Sequence, residues 1–188
     1  MTHAYSKSYL SNAKNRLAQF FDYAINDCGF RSDWITKLFV ISGYAEQFER
    51  GNPSILAGMS GIELAQNVIK KIYPEKDLPE PRFGNDKSPE YWAGWALAEY
   101  QWQTGRRFKD IFEYAPLSEI ISMYSIYHEM DVSHFVEALN NYYIKFNADT
   151  KLKRIRESRG LSQSELALHS GVHLRSIQMY EQKANDID

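Results

Sequence analysis

Hydrophobic positions in the first part of the chain recur every three or four residues, which is the period of an amphipathic α-helix. One such stripe covers residues 10–28 and stops at Gly29. A second stripe covers residues 33–48, with an aspartate as its expected N-cap and a Gly-Asn-Pro sequence after it. A third helix is predicted to begin where Ser60 and Glu63 have the spacing of a capping box.

The rest of this first region follows the same period after a long loop. Residues 74–89 contain four prolines and many charges, which predicts the loop. Four further helices are predicted at residues 88–105, 108–114, 117–128 and 131–146. No segment shows the apolar and polar alternation of a strand. The sequence therefore predicts an all-α body over residues 1–147.

Residues 148–188 are expected to form a second domain made of short helices. One helix is predicted over residues 151–159 and another over residues 173–182. Between them, Ser162 and Glu165 repeat the capping-box spacing. The side chains expected to face the interior are Leu152, Ile155, Leu166, Ala167, Val172, Ile177 and Tyr180.

The charge of the chain is uneven along its length. The formal net charge is −2, but the stretch from Lys151 to Lys183 carries seven Lys or Arg against three Glu. This local +4 leaves −6 on the remainder. A basic end on an acidic body is expected if only the end of the chain approaches phosphates. A basic run alone is also typical of a solvated helix face.

Residues 161–181 resemble the helix-turn-helix of the phage repressor and Cro family. The stretch reads Leu-Ser-Gln-Ser-Glu-Leu-Ala, then Ser-Gly-Val, then Ser-Ile-Gln-Met-Tyr-Glu. The positions that carry the resemblance are Gln163, Ala167, Gly171, Val172, Ile177 and Glu181. A small residue and a turn glycine at this spacing let two helices cross closely. The resemblance implies that the second helix of the motif lies in the major groove of double-stranded DNA.

The same resemblance implies which side chains contact DNA. Gln163 would bind a phosphate from the start of its helix. Arg175 is best suited to direct readout, because its planar guanidinium can bond O6 and N7 of guanine together. Leu174 and Met179 would touch a thymine methyl, although Met179 fits partial core packing equally well. The predicted DNA-binding residues are Gln163, His173, Leu174, Arg175, Ser176, Gln178, Met179, Gln182 and Lys183.

The end of the chain departs from the family in two ways. Lys183 stands where the family usually has a glycine, and five residues follow it where the family has two further helices. The sequence is therefore expected to be truncated, or its end not included. Because the missing part often supplies the family's dimer contact, we expect a homodimer formed through residues 1–147. The dimer must reach two half-sites about 34 Å apart.

The sequence leaves two roles open for the body. One is a repressor whose body dimerises and senses a ligand or protein. The other is an antitoxin-like autorepressor whose N-terminal domain binds a partner toxin protein. An aromatic row at helical spacing is interpreted either as plain core or as a ligand or peptide pocket. The row consists of Tyr91, Trp92, Trp95, Tyr100 and Trp102.

Candidate chemistry in the body is sparse. His128 and His134 lie near Glu129 and Asp131, but six residues apart rather than at the four-residue spacing of the zinc proteases. Cys28 is the single cysteine, which excludes an internal disulfide and a cysteine zinc cluster. We therefore expect no metal, no cofactor and no enzymatic activity. With no run near about 18 apolar residues and a polar start, the protein is expected to be cytoplasmic without membrane contact.

Overall fold

The structure is a computed structural model and describes residues 3–82, 87–148 and 151–182. Every regular element in these ranges is a helix, and no strand occurs in them. The predicted all-α class is therefore confirmed. The chain divides into two compact units, Met1–Leu139 and Asn140–Asp188.

The first unit begins with the helix that the first stripe predicts. A 3-10 turn, Lys7–Tyr9, leads into α1, Leu10–Asp22, which continues as a π-helical segment, Tyr23–Asp27. Gly29 then adopts a left-handed conformation with φ of 71° and ends the helical run. The predicted end of this helix is therefore confirmed.

The second stripe forms two helices, so the single predicted helix is wrong. Helix α2, Ser32–Ile41, and helix α3, Tyr44–Glu49, are separated at Gly43, which has φ of 78°. Glycine adopts this left-handed conformation without the steric cost that other residues meet. The apolar pattern therefore continues while the helix does not. Asp33 lies in the first turn of α2, so its predicted role as N-cap is wrong. Arg31 stands at the N-cap position, without a capping hydrogen bond from its side chain.

The predicted capping box is present at the start of α5, Gly61–Ile72. The Glu63 amide donates to Ser60 Oγ at 3.1 Å, and the Ser60 amide donates to Glu63 Oε2 at 2.6 Å. A short helix that the sequence did not predict, α4 over Pro53–Leu56, precedes it and is capped by Asn52. Proline at the first position of α4 suits a helix start, because its missing N–H would have no helical partner there.

The aromatic-rich helix α6, Pro89–Thr104, is capped by Ser88 and ends at Gly105, which confirms its predicted bounds. The helices that follow are α7, Phe108–Tyr114; α8, Leu117–Ser122; α9, Tyr124–Tyr127; and α10, Val132–Ala148. The helix predicted over residues 117–128 is thus interrupted at Met123, which separates α8 from α9.

The core of the first unit forms where α1 packs against α5 and α6. Gly94 of α6 lies so close to α1 that a Cβ atom there would collide with the Leu17 carbonyl. Phe39 is fully buried, and its ring centroid lies 4.8 Å from that of Phe20 and 5.3 Å from that of Phe108. Backbone contact and ring packing together give this unit a dense interior.

The second unit contains residues 140–148 of α10 and three shorter helices. These are α11, Lys151–Ser158; α12, Gln163–Ser170; and α13, Leu174–Gln182. Helix α12, a turn and α13 follow one another as the sequence predicts. Among the described helices of the whole chain, none has the length and apolar character needed to cross a membrane.

Candidate nucleic-acid interface

The start of α12 is fixed by a capping box. Ser162 Oγ accepts from the Glu165 amide at 3.1 Å, and Glu165 Oε2 accepts from the Ser162 amide at 2.7 Å. These hydrogen bonds hold the pKa of Glu165 below its ordinary value, because they favour the charged carboxylate. The helix N-terminus is therefore closed by its own side chains, as the spacing in the sequence predicts.

The turn between α12 and α13 uses a glycine and a histidine. Gly171 has φ of 68° and ends α12. His173 Nδ1 then accepts a hydrogen bond of 3.3 Å from the Arg175 amide, one of the free N–H groups at the start of α13. His173 therefore caps the helix that the sequence predicts to enter DNA.

A buried ion pair holds the three short helices together. Arg156 of α11 donates from Nε to Glu181 Oε1 at 2.7 Å and from Nη2 to Glu181 Oε2 at 2.9 Å. Its Nη1 also donates to the Leu161 carbonyl at 2.7 Å. Donation from Arg156 is the main reason that the pKa of Glu181 lies below its ordinary value. The two-point geometry fixes α13 relative to α11.

Gln163 joins this network from the first position of α12. Its Nε2 donates to Glu181 Oε2 at 2.8 Å, and its side chain is half-buried. One carboxylate of α13 is thus bound by side chains of both preceding helices. These hydrogen bonds were not predicted from the sequence, although Glu181 is one of the positions that carry the family resemblance. The signal that could have found it is Arg156, a charged residue on the inner side of the predicted first helix.

Helix α13 presents two different faces. Ile177 is 2% exposed, and Glu181, one turn further, is 7% exposed, so this face packs inward. Arg175 is exposed, and Met179, one turn further, is 60% exposed. Gln178 lies beside them and is half-buried. The arginine and the methionine therefore share a face of the helix that is open to a ligand.

The family model described as Helix-turn-helix matches residues 152–188. This segment is a helix-turn-helix. The match covers only the C-terminal end of the chain and leaves residues 1–151 outside it. No curated protein and no solved structure matches the chain. The helix-turn-helix identifies this end as a DNA-binding element.

The other predicted DNA-binding residues lie on or beside α13 of the helix-turn-helix. His173 is exposed, whereas Leu174 and Ser176 are half-buried. The side chain of Gln182 and the whole of Lys183 lie outside the described residues. Contacts of these side chains with DNA stay predictions.

Several side chains predicted to face the interior of the helix-turn-helix do not. Leu152 and Ile155 of α11 are 36% and 43% exposed, Val172 is 43% exposed and Tyr180 is 62% exposed. Ile177 is buried as predicted. The reason is that the three short helices meet around the side chains of Arg156 and Glu181, and the described helices do not cover the remaining apolar face.

The residues that suggested a metal cluster have local structural roles. His128 Nδ1 lies 2.7 Å from the Tyr124 carbonyl oxygen, and Asp131 Oδ1 accepts from the Ser133 amide at 2.9 Å. The hydrogen bonds with Ser133 lower the pKa of Asp131. Among the described residues, no group of three His, Cys, Asp or Glu side chains is placed to hold a metal ion.

Proposed function

We propose that the protein is a transcriptional repressor that binds a specific DNA site as a homodimer through α13. The observation that carries the proposal is the open face of α13, on which Arg175 and Met179 lie one turn apart. Ile177 and Glu181 hold the opposite face against the rest of the helix-turn-helix. Side chains on an open helix face of this kind can reach base edges in the major groove.

The charge distribution supports an approach of this end to DNA. Lys151, Arg159 and Arg175 are exposed in the helix-turn-helix. The stretch from Lys151 to Lys183 has a net charge of +4, whereas the rest of the chain has −6. Phosphates would therefore attract the C-terminal end and repel the body, which orients the molecule before any base is read.

We propose a dimer because one helix forms only a small interface with DNA, and we propose repression because it makes the smallest demand on the bound protein. A single short helix contacts few bases, and two copies on half-sites about 34 Å apart would supply the affinity that one lacks. Repression requires only that the bound protein occupies a promoter, whereas activation needs a further surface for the polymerase. We therefore propose repression by a dimer that forms through the N-terminal unit.

The proposal is tested by fluorescence anisotropy on duplexes selected from a random pool and on the DNA upstream of the protein's own gene. Replacing Arg175 with alanine is expected to weaken binding to the selected site by about 1–3 kcal/mol and to relax the preference at one base pair. Arg107→Ala is the matched control, since Arg107 is an exposed arginine paired with Asp110 in the first unit.

Two results would overturn the proposal. One is an Arg175→Ala protein that binds with unchanged affinity and base preference. The other is a protein that light scattering shows to be monomeric both free and on a selected duplex, which would contradict the dimer. Affinity for the selected site is also expected to fall with salt, because neutralised phosphates release counterions.

A further inference from the structure

A cavity of about 310 Å³ lies between α6, α9 and the first residue of α10 in the N-terminal unit. Its half-buried aromatic walls are formed by Tyr91, Trp92, Trp95, Tyr124 and Tyr127. Tyr100 and Trp102, by contrast, are buried in the core. The aromatic row in the sequence therefore divides between the wall of this cavity and the core. A cavity of this size falls in the range of small-molecule sites.

The walls of the cavity are held by ring contacts that exist before any ligand arrives. The Trp92 ring meets Tyr124 edge to face, with centroids 5.8 Å apart, and meets Phe135 in the same way at 5.4 Å. Tyr124 in turn stacks on His128 at 4.3 Å. Aromatic walls that are fixed in this way favour a flat ligand, because the ligand ring can then contact several wall rings at the same time.

The charge on the cavity wall is positive. Lys87 lines the cavity, and none of the described residues that line it is an aspartate or glutamate. Two carboxylates lie near lining residues, and one is hydrogen-bonded while the other is in solvent. Asp22 accepts from Ser88 Oγ at 2.5 Å, and Glu129, 3.6 Å from His128 Nε2, has a side chain that is 85% exposed.

One lysine of the protein already occupies an aromatic face at this site. Lys87 Nζ lies 5.4 Å from the Tyr91 ring centroid. A ligand cation would therefore find this face taken and would meet like charge. A carboxylate would instead meet the Lys87 ammonium.

We propose that this cavity binds a flat aromatic carboxylate of one or two rings. The ring system packs against the wall that Trp92 and the tyrosines form, and the carboxylate pairs with the Lys87 ammonium. The inference concerns the N-terminal unit alone and does not depend on the proposed DNA-binding function.

Isothermal titration calorimetry with three isosteric probes tests both parts of the inference. The probes are indole-3-acetate, indole-3-acetamide and tryptamine, which share one ring system and carry a negative, neutral and positive side group. The acetate is expected to bind about two- to fivefold more tightly than the amide, which is the range of an exposed ion pair. Tryptamine is expected to bind more weakly than either.

The Lys87→Gln variant separates the charge from the ring contacts. It is expected to bind the acetate and the amide equally, while its affinity for the amide stays as in the parent protein. Lys37→Gln is the matched control, because Lys37 Nζ also lies near a ring, 5.9 Å from the Trp34 centroid, but does not line the cavity. Tryptophan fluorescence verifies that both variants are folded.

Three results would overturn the inference. No heat with any of the probes would exclude an aromatic ligand of this size. Tighter binding of tryptamine than of the acetate would exclude an anion site. An unchanged preference for the acetate in Lys87→Gln would remove Lys87 from the site.

Discussion

Each of the two units of the molecule is stabilised by a different kind of interior. The first unit buries a continuous cluster of aromatic and aliphatic side chains, with Phe20, Phe39 and Phe108 among its fully buried rings. In the described part of the second unit, the buried hydrophobic residue is Ile177, and Arg156 and Glu181 form a buried ion pair. The first interior depends on the hydrophobic effect, whereas the second depends on the charge of two groups.

This difference can be measured in one molecule. All four tryptophans of the chain lie in the first unit, so tryptophan fluorescence reports on the unfolding of that unit alone. Amide hydrogen exchange of α13 reports on the second unit. Substitutions that change one interior at a time can therefore be compared through these two signals.

The largest effect is expected from the aromatic core. Replacing Phe39 with alanine removes a ring that contacts several others and should lower the free energy of unfolding of the first unit by about 3–5 kcal/mol. The measurement is guanidinium denaturation followed by tryptophan fluorescence. Ile41→Ala is the control on the same helix, because Ile41 is 62% exposed and its truncation should change stability by less than about 0.5 kcal/mol. Equal effects of the two substitutions would show that ring packing does not stabilise this unit.

The second effect is a dependence of the C-terminal unit on pH. The pKa of Glu181 is lower in the folded protein than in the unfolded chain, where glutamate titrates near about 4.3. The ion pair therefore stabilises the unit above that pH, and the stabilisation is lost as the pH falls through the folded value. The protection of the α13 amides from exchange, measured relative to the intrinsic rate at each pH, is expected to fall below about pH 4, while tryptophan fluorescence is still that of the folded first unit.

The Glu181→Gln variant tests the cause of this acid sensitivity. Its α13 amides should exchange faster than those of the parent at pH 7, because Arg156 loses its charged partner. Their protection relative to the intrinsic exchange rate should also depend less on pH. Glu165, whose pKa is also lowered, leaves a smaller residual dependence. Asp110→Asn is the control, since its partner Arg107 has a side chain that is 67% exposed and the pair is screened by water. An α13 whose exchange is unchanged in Glu181→Gln would contradict the assigned role of the ion pair.

The smallest effect is expected from the capping box, a motif that occurs in both units. Ser60→Ala and Ser162→Ala each remove the side-chain acceptor of a capping box, and each should cost about 1 kcal/mol. In the first unit this cost is a small fraction of the total and should shift the fluorescence transition slightly. In the second unit, whose apolar core is thin, the same cost should visibly increase amide exchange along α12. Similar small responses of both signals would show that the two interiors are equally stable.

Local chemistry made much of this structure predictable from the sequence. Both capping boxes, at Ser60 and Ser162, and the helix end at Gly171 lie where residue type and spacing place them. These features depend on neighbours within a few residues, so a sequence reveals them directly. The break at Gly43 was missed because the apolar stripe runs through it, and periodicity alone does not report a left-handed residue.

Burial in the second unit was less predictable because it depends on which helices meet. Tyr180 has the helical spacing of a buried residue and yet is 62% exposed. Arginine usually lies at the surface, but Arg156 is buried where it pairs with Glu181, and Gln163 donates to the same carboxylate. Such partners lie about 25 residues apart in the chain and become neighbours only through the fold. Which residues of the aromatic row are buried in the core and which line the cavity also depends on how the helices meet.

The close approach of α6 to α1 has a consequence for the proposed ligand site. Trp92 and Trp95 lie on either side of Gly94, the residue whose backbone touches Leu17. The backbone that carries both indoles is therefore packed closely against α1 at this point. An incoming molecule would therefore immobilise few additional groups, and its association would carry a small entropic penalty. If the site lacked this rigid support, the ligand would associate slowly and the association rate would depend strongly on temperature.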